Sequence, residues 1–241
     1  KQIPEEILRN INAKYHLDEP LVTKYMRYLG MVVQGDLGPS FRYMNRTVNE
    51  IIAETFPVSA SIGLLGLVYA LLLGVTAGVF AASRPNSLRD YIPMFFSMLG
   101  LCLPSFVIGP LFVLFFGVHL GWFNISGWSD PSDVVLPALT LGTMYAAFFA
   151  RLTRGGILEI VRQDYIRTAH AKGVPPWIVM LRHTLKSGLM PTVSFMGPAV
   201  TGMLTGSMVV ETIFNIPGLG RFFVQSALNR DYTLVMGCVL F

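Results

Sequence analysis

Residues 164–176 read Asp-Tyr-Ile-Arg-Thr-Ala-His-Ala-Lys-Gly-Val-Pro-Pro and lie in the most basic segment of the chain. Asp164 is placed to cap the first backbone N–H groups of a helix, and Gly173 to take the left-handed conformation that ends one. Pro175 and Pro176 stop it from resuming. The helix between them, Tyr165 to Lys172, has about two turns and is too short to persist alone in water. It must dock. A small, bounded, basic helix made of Tyr165, Arg167, Thr168, Ala169, His170, Ala171 and Lys172, closed by Gly173, offers a handle to a partner.

Chemistry of other kinds has no residues to carry it. The sequence contains no phosphate-binding Gly-x4-Gly-Lys-Ser/Thr loop, no His-Glu-x-x-His pair and no Gly-x-Ser-x-Gly elbow. His16, His119, His170 and His183 lack metal-ligand spacing, and Cys102 and Cys238 both sit in apolar runs. The chain is therefore expected to have no catalytic residues, to hold no metal and to bind no cofactor of its own.

The elements that must position the handle follow from composition. Of 241 residues, 53% are hydrophobic and 13% charged; a soluble domain would carry about a quarter charged. Runs of more than about 18 apolar residues define an all-α, polytopic helical membrane protein in contact with the lipid bilayer. Four complete spans are expected at Pro57–Ala82, Pro93–Gly117, Val134–Ala150 and Leu189–Val210, with a truncated one from Tyr232. Pro104 and Pro110 should bend or break the second. A further span is expected before Lys1, because the chain opens on a polar stretch without a leader. Residues 1–56 are then an extracytoplasmic polar segment, and residues 57–241 the transmembrane domain. The polar segment is expected to hold helices from Pro4 through Tyr15 and from Pro20 through Val33, then a turn over Gln34–Ser40. A further amphipathic piece, Trp177–Gly188, should place Ile178, Leu181 and Leu185 on one side.

Orientation comes from the short loops. Ser83–Ile92 and Arg151–Gly188 share one side and carry nine Lys/Arg, against two, Arg221 and Arg230, in the opposite loops. The basic side is cytoplasmic, and the Tyr165–Lys172 helix with it. That bias also explains the net charge of +4 without nucleic acid. The four expected spans contain no Asp, Glu, Lys, Arg or His, so the chain has no energy-coupling chemistry at membrane depth. Thr140, Ser194, Thr201, Thr205 and Ser207 are the candidates to line a polar path, although hydroxyls also satisfy themselves on their own helix. Gly74–Gly78 and Gly202–Gly206 have the four-residue spacing of close helix packing, within this bundle rather than at a subunit interface.

Five blocks in order carry a resemblance. They are Gly35-Asp-Leu-Gly-Pro-Ser40, Phe56-Pro-Val-Ser59, Arg167-Thr-Ala-His-Ala-Lys-Gly173, Gly206 through Phe214, and Leu228-Asn-Arg-Asp-Tyr232. The chain resembles the B-type permease subunits of the bacterial oligopeptide/dipeptide/nickel group of binding-protein-dependent ABC importers, over essentially its whole length. The shared signature of such permeases is Glu-Ala-Ala-x3-Gly, a coupling helix that fits a cleft on the ATPase. Aligned on Gly173, this chain has Arg167-Thr168-Ala169 instead, a form associated with the peptide branch. The signature also expects Ile-x-Leu-Pro soon after the glycine, and Pro191 comes late.

The resemblance implies a multi-pass subunit of the bacterial cytoplasmic (inner) membrane. Its partners would be a homologous C-type permease, two cytoplasmic ATPase subunits holding ATP and Mg, and an extracytoplasmic solute-binding protein. Arg42, Arg46, Arg221, Arg230 and Asp231 are the implied docking residues for that protein. The implied cargo is peptide, oligopeptide first, with glutathione or nickel as alternatives within the group. The rival from another class is a non-transport membrane scaffold or assembly factor.

Overall fold

A computed structural model describes residues 20–43 and 45–241. The helix expected over Pro4–Tyr15 lies outside them. The described residues are helical, with one isolated bridge between Pro39 and Thr47. They divide into two compact units.

The first unit gathers the described residues up to Ala53 with Gln225–Phe241. Helix α1, Leu21–Val33, follows Pro20 as expected. After it, Gly35 and Gly38 take φ of +79° and +86°, which allows the tight turn predicted over Gln34–Ser40. Asn49 fastens that turn, accepting from Leu37 N at 2.8 Å and donating to Gly35 O at 2.6 Å.

The second unit, Glu54–Val224, holds the long apolar helices. Helix α2, Val48–Ser83, begins in the first unit and continues through most of its length here. The second expected span is broken. Helix α3, Leu88–Cys102, ends where Leu103 turns extended, and helix α4, Ser105–Phe112, leaves at 109°. The cause is local, since the proline ring of Pro104 disfavours helical backbone at the residue before it. Pro110, expected to act likewise, stays inside α4.

Helix α5, Val135–Val161, is the inner member of the unit. Its most apolar window is 61% buried, against 33% for α2 and 17% for Met190–Ile213, so the others pack around it. Helix α6, Asp164–Ala171, follows after a short break. The chain then runs through a connector, Pro176–Ile178, Val179–Thr184 and Leu185–Gly188, into helix α7, Met190–Leu204. Helix α8, Met208–Ile213, and helix α9, Leu219–Leu228, follow. Helix α10, Tyr232–Leu240, belongs to the first unit. Among the described residues, three helices are long and apolar enough to cross a membrane, or four if the bent α3–α4 pair counts as one.

The face predicted for the connector is shifted, and Ile178 and Leu185 are only half-buried. Val179, Thr184 and Gly188 are buried, while Leu181 is exposed. The middle segment is π-helical, and its wider turns move side chains off the α-helical period.

Glycines set the closest approaches. A Cβ on Gly74 would meet the Ala146 carbonyl oxygen and the Phe149 side chain, and one on Gly78 would meet the Ala150 oxygen and Thr153. The Gly74–Gly78 pair thus packs α2 on α5 inside the unit, as expected. Gly155 and Gly156 sit side by side on α5 with opposite demands. A Cβ on Gly156 would strike the Gly188 carbonyl, whereas Gly155 has open space. Gly156→Ala should therefore lower the thermal midpoint of the detergent-purified protein, because backbone must move to admit the methyl. Gly155→Ala should hold or raise it, by up to about 1 kcal/mol of helix propensity. Equal midpoints for the two variants would contradict this packing.

Candidate functional site

The handle helix α6 is written by its ends, with one revision. Gln163, not Asp164, is the residue before the helix, and it makes no side-chain cap. Asp164 stands inside the first turn, where its negative charge suits the helix N-terminus, and pairs with Arg167 at 3.3 Å. Both side chains are largely exposed, so that pair contributes little to stability. Gly173 takes φ +76° and its N–H donates to His170 O at 2.9 Å, closing the helix as predicted. Pro175 precedes a new helical start at Pro176.

Helix α6 has two faces. Ile166 and Ala169 are buried in a small cluster with Val179, flanked by Ile160 and Val174. The seat of the helix is therefore within its own chain, on the end of α5 and the connector. Tyr165, Arg167, Thr168, His170, Ala171 and Lys172 remain exposed, as does Trp177 just beyond. Ala169 was grouped with the contact residues, but its side chain is already committed inward. It holds the exposed face in place.

The hydroxyl residues do not form one group. Ser194, Thr201 and Thr205 share an exposed face of α7 by their spacing, and Thr201 and Thr205 donate to carbonyls of their own helix, Gly197 and Thr201. Thr140 is buried on α5 and donates to Leu136 O at 2.8 Å. Thr140 and Ser207 line a common cavity of about 260 Å³ with Ser105, Tyr145 and Met208. Ser207 also caps α8, accepting from Val210 N at 3.3 Å.

Among the docking candidates, Arg42 and Arg230 are exposed, while Arg46 and Arg221 are half-buried. Asp231 is not available to a partner. Its carboxylate is fully buried in the first unit and accepts from the Ser40 hydroxyl, from Phe41 N and Arg42 N, from the Thr233 hydroxyl and from Leu234 N. Burial pushes its carboxyl up. The bonds from Ser40, Phe41, Leu234 and Arg42 outweigh that and hold it below the ordinary value. Asp231 organises the turn at Ser40 and starts α10; it is structural.

Two polar constellations in the second unit escaped the sequence reading. The first is Glu211. It is buried, and its carboxylate accepts from the Ser59 hydroxyl at 2.7 Å and from Arg221 N at 2.8 Å. Ser59 in turn accepts from Leu219 N at 2.8 Å, so α2, α8 and the start of α9 meet at one carboxylate. Three glycines make the room: a Cβ on Gly206, Gly218 or Gly220 would meet the Glu211 side chain. The signal was present as a lone acid at the end of a charge-free run, flanked by turn glycines. Such an acid needs N–H donors, and tight turns supply them.

The second is Asp90 with Arg154. Arg154 Nε lies 2.5 Å from Asp90 Oδ1 and its terminal nitrogen 2.6 Å from Oδ2. This is a two-pronged fork from α5 to the start of α3. No local pattern announces a pair 64 residues apart.

Comparison with known proteins gives a consistent picture. Residues 74–241 match the family described as binding-protein-dependent transport system inner membrane component. The chain is 46% identical to the oligopeptide transport system permease protein OppB of Salmonella typhimurium, over 100% of this chain and 79% of that protein. It is 40% identical to the dipeptide transport system permease protein DppB of Bacillus subtilis, over 98% of this chain and 77% of that one. Among solved structures, a chain of the inward-facing MetNI methionine ABC transporter superposes with a TM-score of 0.59 at 19% identity. The match covers 78% of this chain and 84% of that one, and shows a shared fold.

The Glu211 cradle is open to a double-mutant test. Glu211→Ala leaves buried N–H groups unpaired, at about 1–3 kcal/mol each. If the two side chains act as one unit, Ser59→Ala with Glu211→Ala should cost less than the two single losses added, by about 0.5–3 kcal/mol. Thermal unfolding of the purified protein measures this, and strict additivity would mean the contact carries no weight.

Proposed function

Because this chain belongs to the family of binding-protein-dependent transport system inner membrane components, we propose that it carries peptides across the membrane under the control of separate ATPase subunits. The observation that carries the coupling half of this reading is helix α6. It is short, closed at Gly173, seated by Ile166 and Ala169 on its own chain, and exposed along Tyr165, Arg167, Thr168, His170 and Lys172. An element packed on one side and bare on the other, at the basic end of α5, suits a cleft on a cytoplasmic partner. ATP and Mg would be held by that partner. The names of the relatives, oligopeptide and dipeptide permeases, support peptide as cargo.

Residues 1–56 and the Glu211–Asp231 segment are read as extracytoplasmic, with Arg42, Arg46, Arg221 and Arg230 as docking points for a solute-binding protein. A homologous permease subunit would complete the path. Ser194, Thr201 and Thr205 on the exposed face of α7 are its proposed lining, with Ser207 at the cavity beside Tyr145. These groups offer hydroxyl and carbonyl oxygens but no fixed charge. Discrimination by single apolar contacts is worth about 1–3 kcal/mol, so selection between peptides falls to the binding protein.

Two substitutions test the coupling role by different routes. Ala169→Asp puts a charge into the cluster that seats α6. Gly173→Val meets no side chain, and acts only through its positive φ, at about 1–3 kcal/mol. Both variants should reach the membrane and assemble, yet lose peptide uptake and the ATP hydrolysis that loaded binding protein stimulates. Wild-type uptake in both would refute the coupling role of α6.

A further inference from the structure

We infer that the Asp90–Arg154 fork is the joint by which α3 follows α5 during transport, so that both residues position the path without touching cargo. This rests on the coupling role of α6. Arg154 lies about two turns from the end of α5 at Val161, and α6 begins at Asp164. A displacement of α6 is therefore passed to the end of α5 that carries Arg154, as well as to the connector on which α6 is also seated.

On one flank, this end of α5 is locked to the connector and α7. The Thr153 and Thr192 hydroxyls share a hydrogen bond at 2.9 Å, and Gly156 lies against the Gly188 carbonyl. The fork lies on another flank. Two parallel N–H···O contacts to one planar carboxylate resist rotation as well as separation, which a single contact or an apolar patch does not. Asp90 is buried and also accepts from Asn86 N at 3.0 Å, where Asn86 stands at φ +59°. The same carboxylate thus pins the turn between α2 and α3.

Farther along, α3 is held on α5 by apolar packing alone. Gly100 lets α3 pack closely on α5, since a Cβ there would press on Ala147 and Thr143, and an apolar cavity of about 500 Å³ opens beside that contact among Tyr69, Phe96, Leu103, Phe112 and Thr143. Helix α3 therefore has a directional polar tie at its start and non-directional apolar packing, bordered by a cavity, beyond it. It ends at the 109° bend into α4, whose Ser105 and Ile108 line the smaller cavity with Thr140 and Ser207. With Asp90 buried and Arg154 partly exposed, the pair is a poor stabiliser compared with apolar packing of the same volume. As a joint with one defined geometry, it transmits the movement of α5 to α3 and α4.

The test uses the whole transporter, with its ATPases and binding protein, in proteoliposomes. Asp90→Asn and Arg154→Gln should keep stimulated ATP hydrolysis within about threefold of wild type, while peptide taken up per ATP falls at least tenfold. Asp90→Cys with Arg154→Cys, in a chain carrying Cys102→Ser and Cys238→Ser, replaces the fork with a tie that can be set and released. A short reducible dithiol-specific linker should restore uptake per ATP, and reduction should abolish it again. Neutral variants that keep uptake per ATP within twofold of wild type would overturn the inference. So would a linker that rescues assembly of the complex without rescuing the ratio. Gly173→Val is measured alongside. If it loses uptake and stimulated hydrolysis while Arg154→Gln keeps its uptake per ATP, the joint alone is wrong; if it transports normally, the coupling role of α6 has failed.

Discussion

Backbone-to-backbone contact between α2 and α5 is the constraint on which the second unit depends. A Cβ on Gly66 would meet the Ala138 carbonyl, and one on Gly142 would meet the Gly66 carbonyl. Gly74 and Gly78 approach Ala146 and Ala150 in the same way. Within a bilayer, burial of apolar surface gives helices no reason to prefer each other over lipid, so close packing must supply the attraction. Removing the Cβ atoms from the seam is what permits that packing. It also leaves α5 as a supported strut, with Phe149 and Ile157 fully buried along it. The α6 handle is attached to the end of this strut.

Charged groups appear where the helices end, and three buried carboxylates, Asp90, Glu211 and Asp231, are met by donors from more than one element. Asp90 faces a guanidinium and a backbone N–H. Glu211 faces a hydroxyl and turn N–H groups, and Asp231 faces two hydroxyls and three backbone N–H groups. An unpaired carboxylate at such depth would cost several kcal/mol, which makes these sites points of fixed geometry. The three do different work. Asp231 builds a turn, Glu211 gathers α2, α8 and α9, and Asp90 connects the α6-bearing end of α5 to α3.

Local signals were legible in the sequence, and distant pairings were not. The ends of α6 could be read because a glycine at positive φ and a proline act within a residue or two. The break at Leu103–Pro104 has the same origin, and the apolar runs located the long helices. Asp164 was misplaced by one position, as is common at helix ends. Which face of α6 is bare could not be read, since Ala169 and Ile166 are covered by Val179 from the connector. The connector's π turn shifted its own face in turn. Asp231 looked like an exposed docking acid until its partners from Ser40 to Arg42 were in place. Arg154 counted only as one more basic loop residue until Asp90 stood opposite.

The central claim is that α6 presents its bare face to an ATPase subunit while its other face is held by its own chain. Photo-crosslinking from single positions along α6, in the assembled transporter, tests it most directly. A photoreactive residue in place of Arg167, His170 or Lys172 should form adducts with the ATPase. One in place of Ile166 should link only within this chain. Adducts to the ATPase from Ile166, with none from the three exposed positions, would contradict the account.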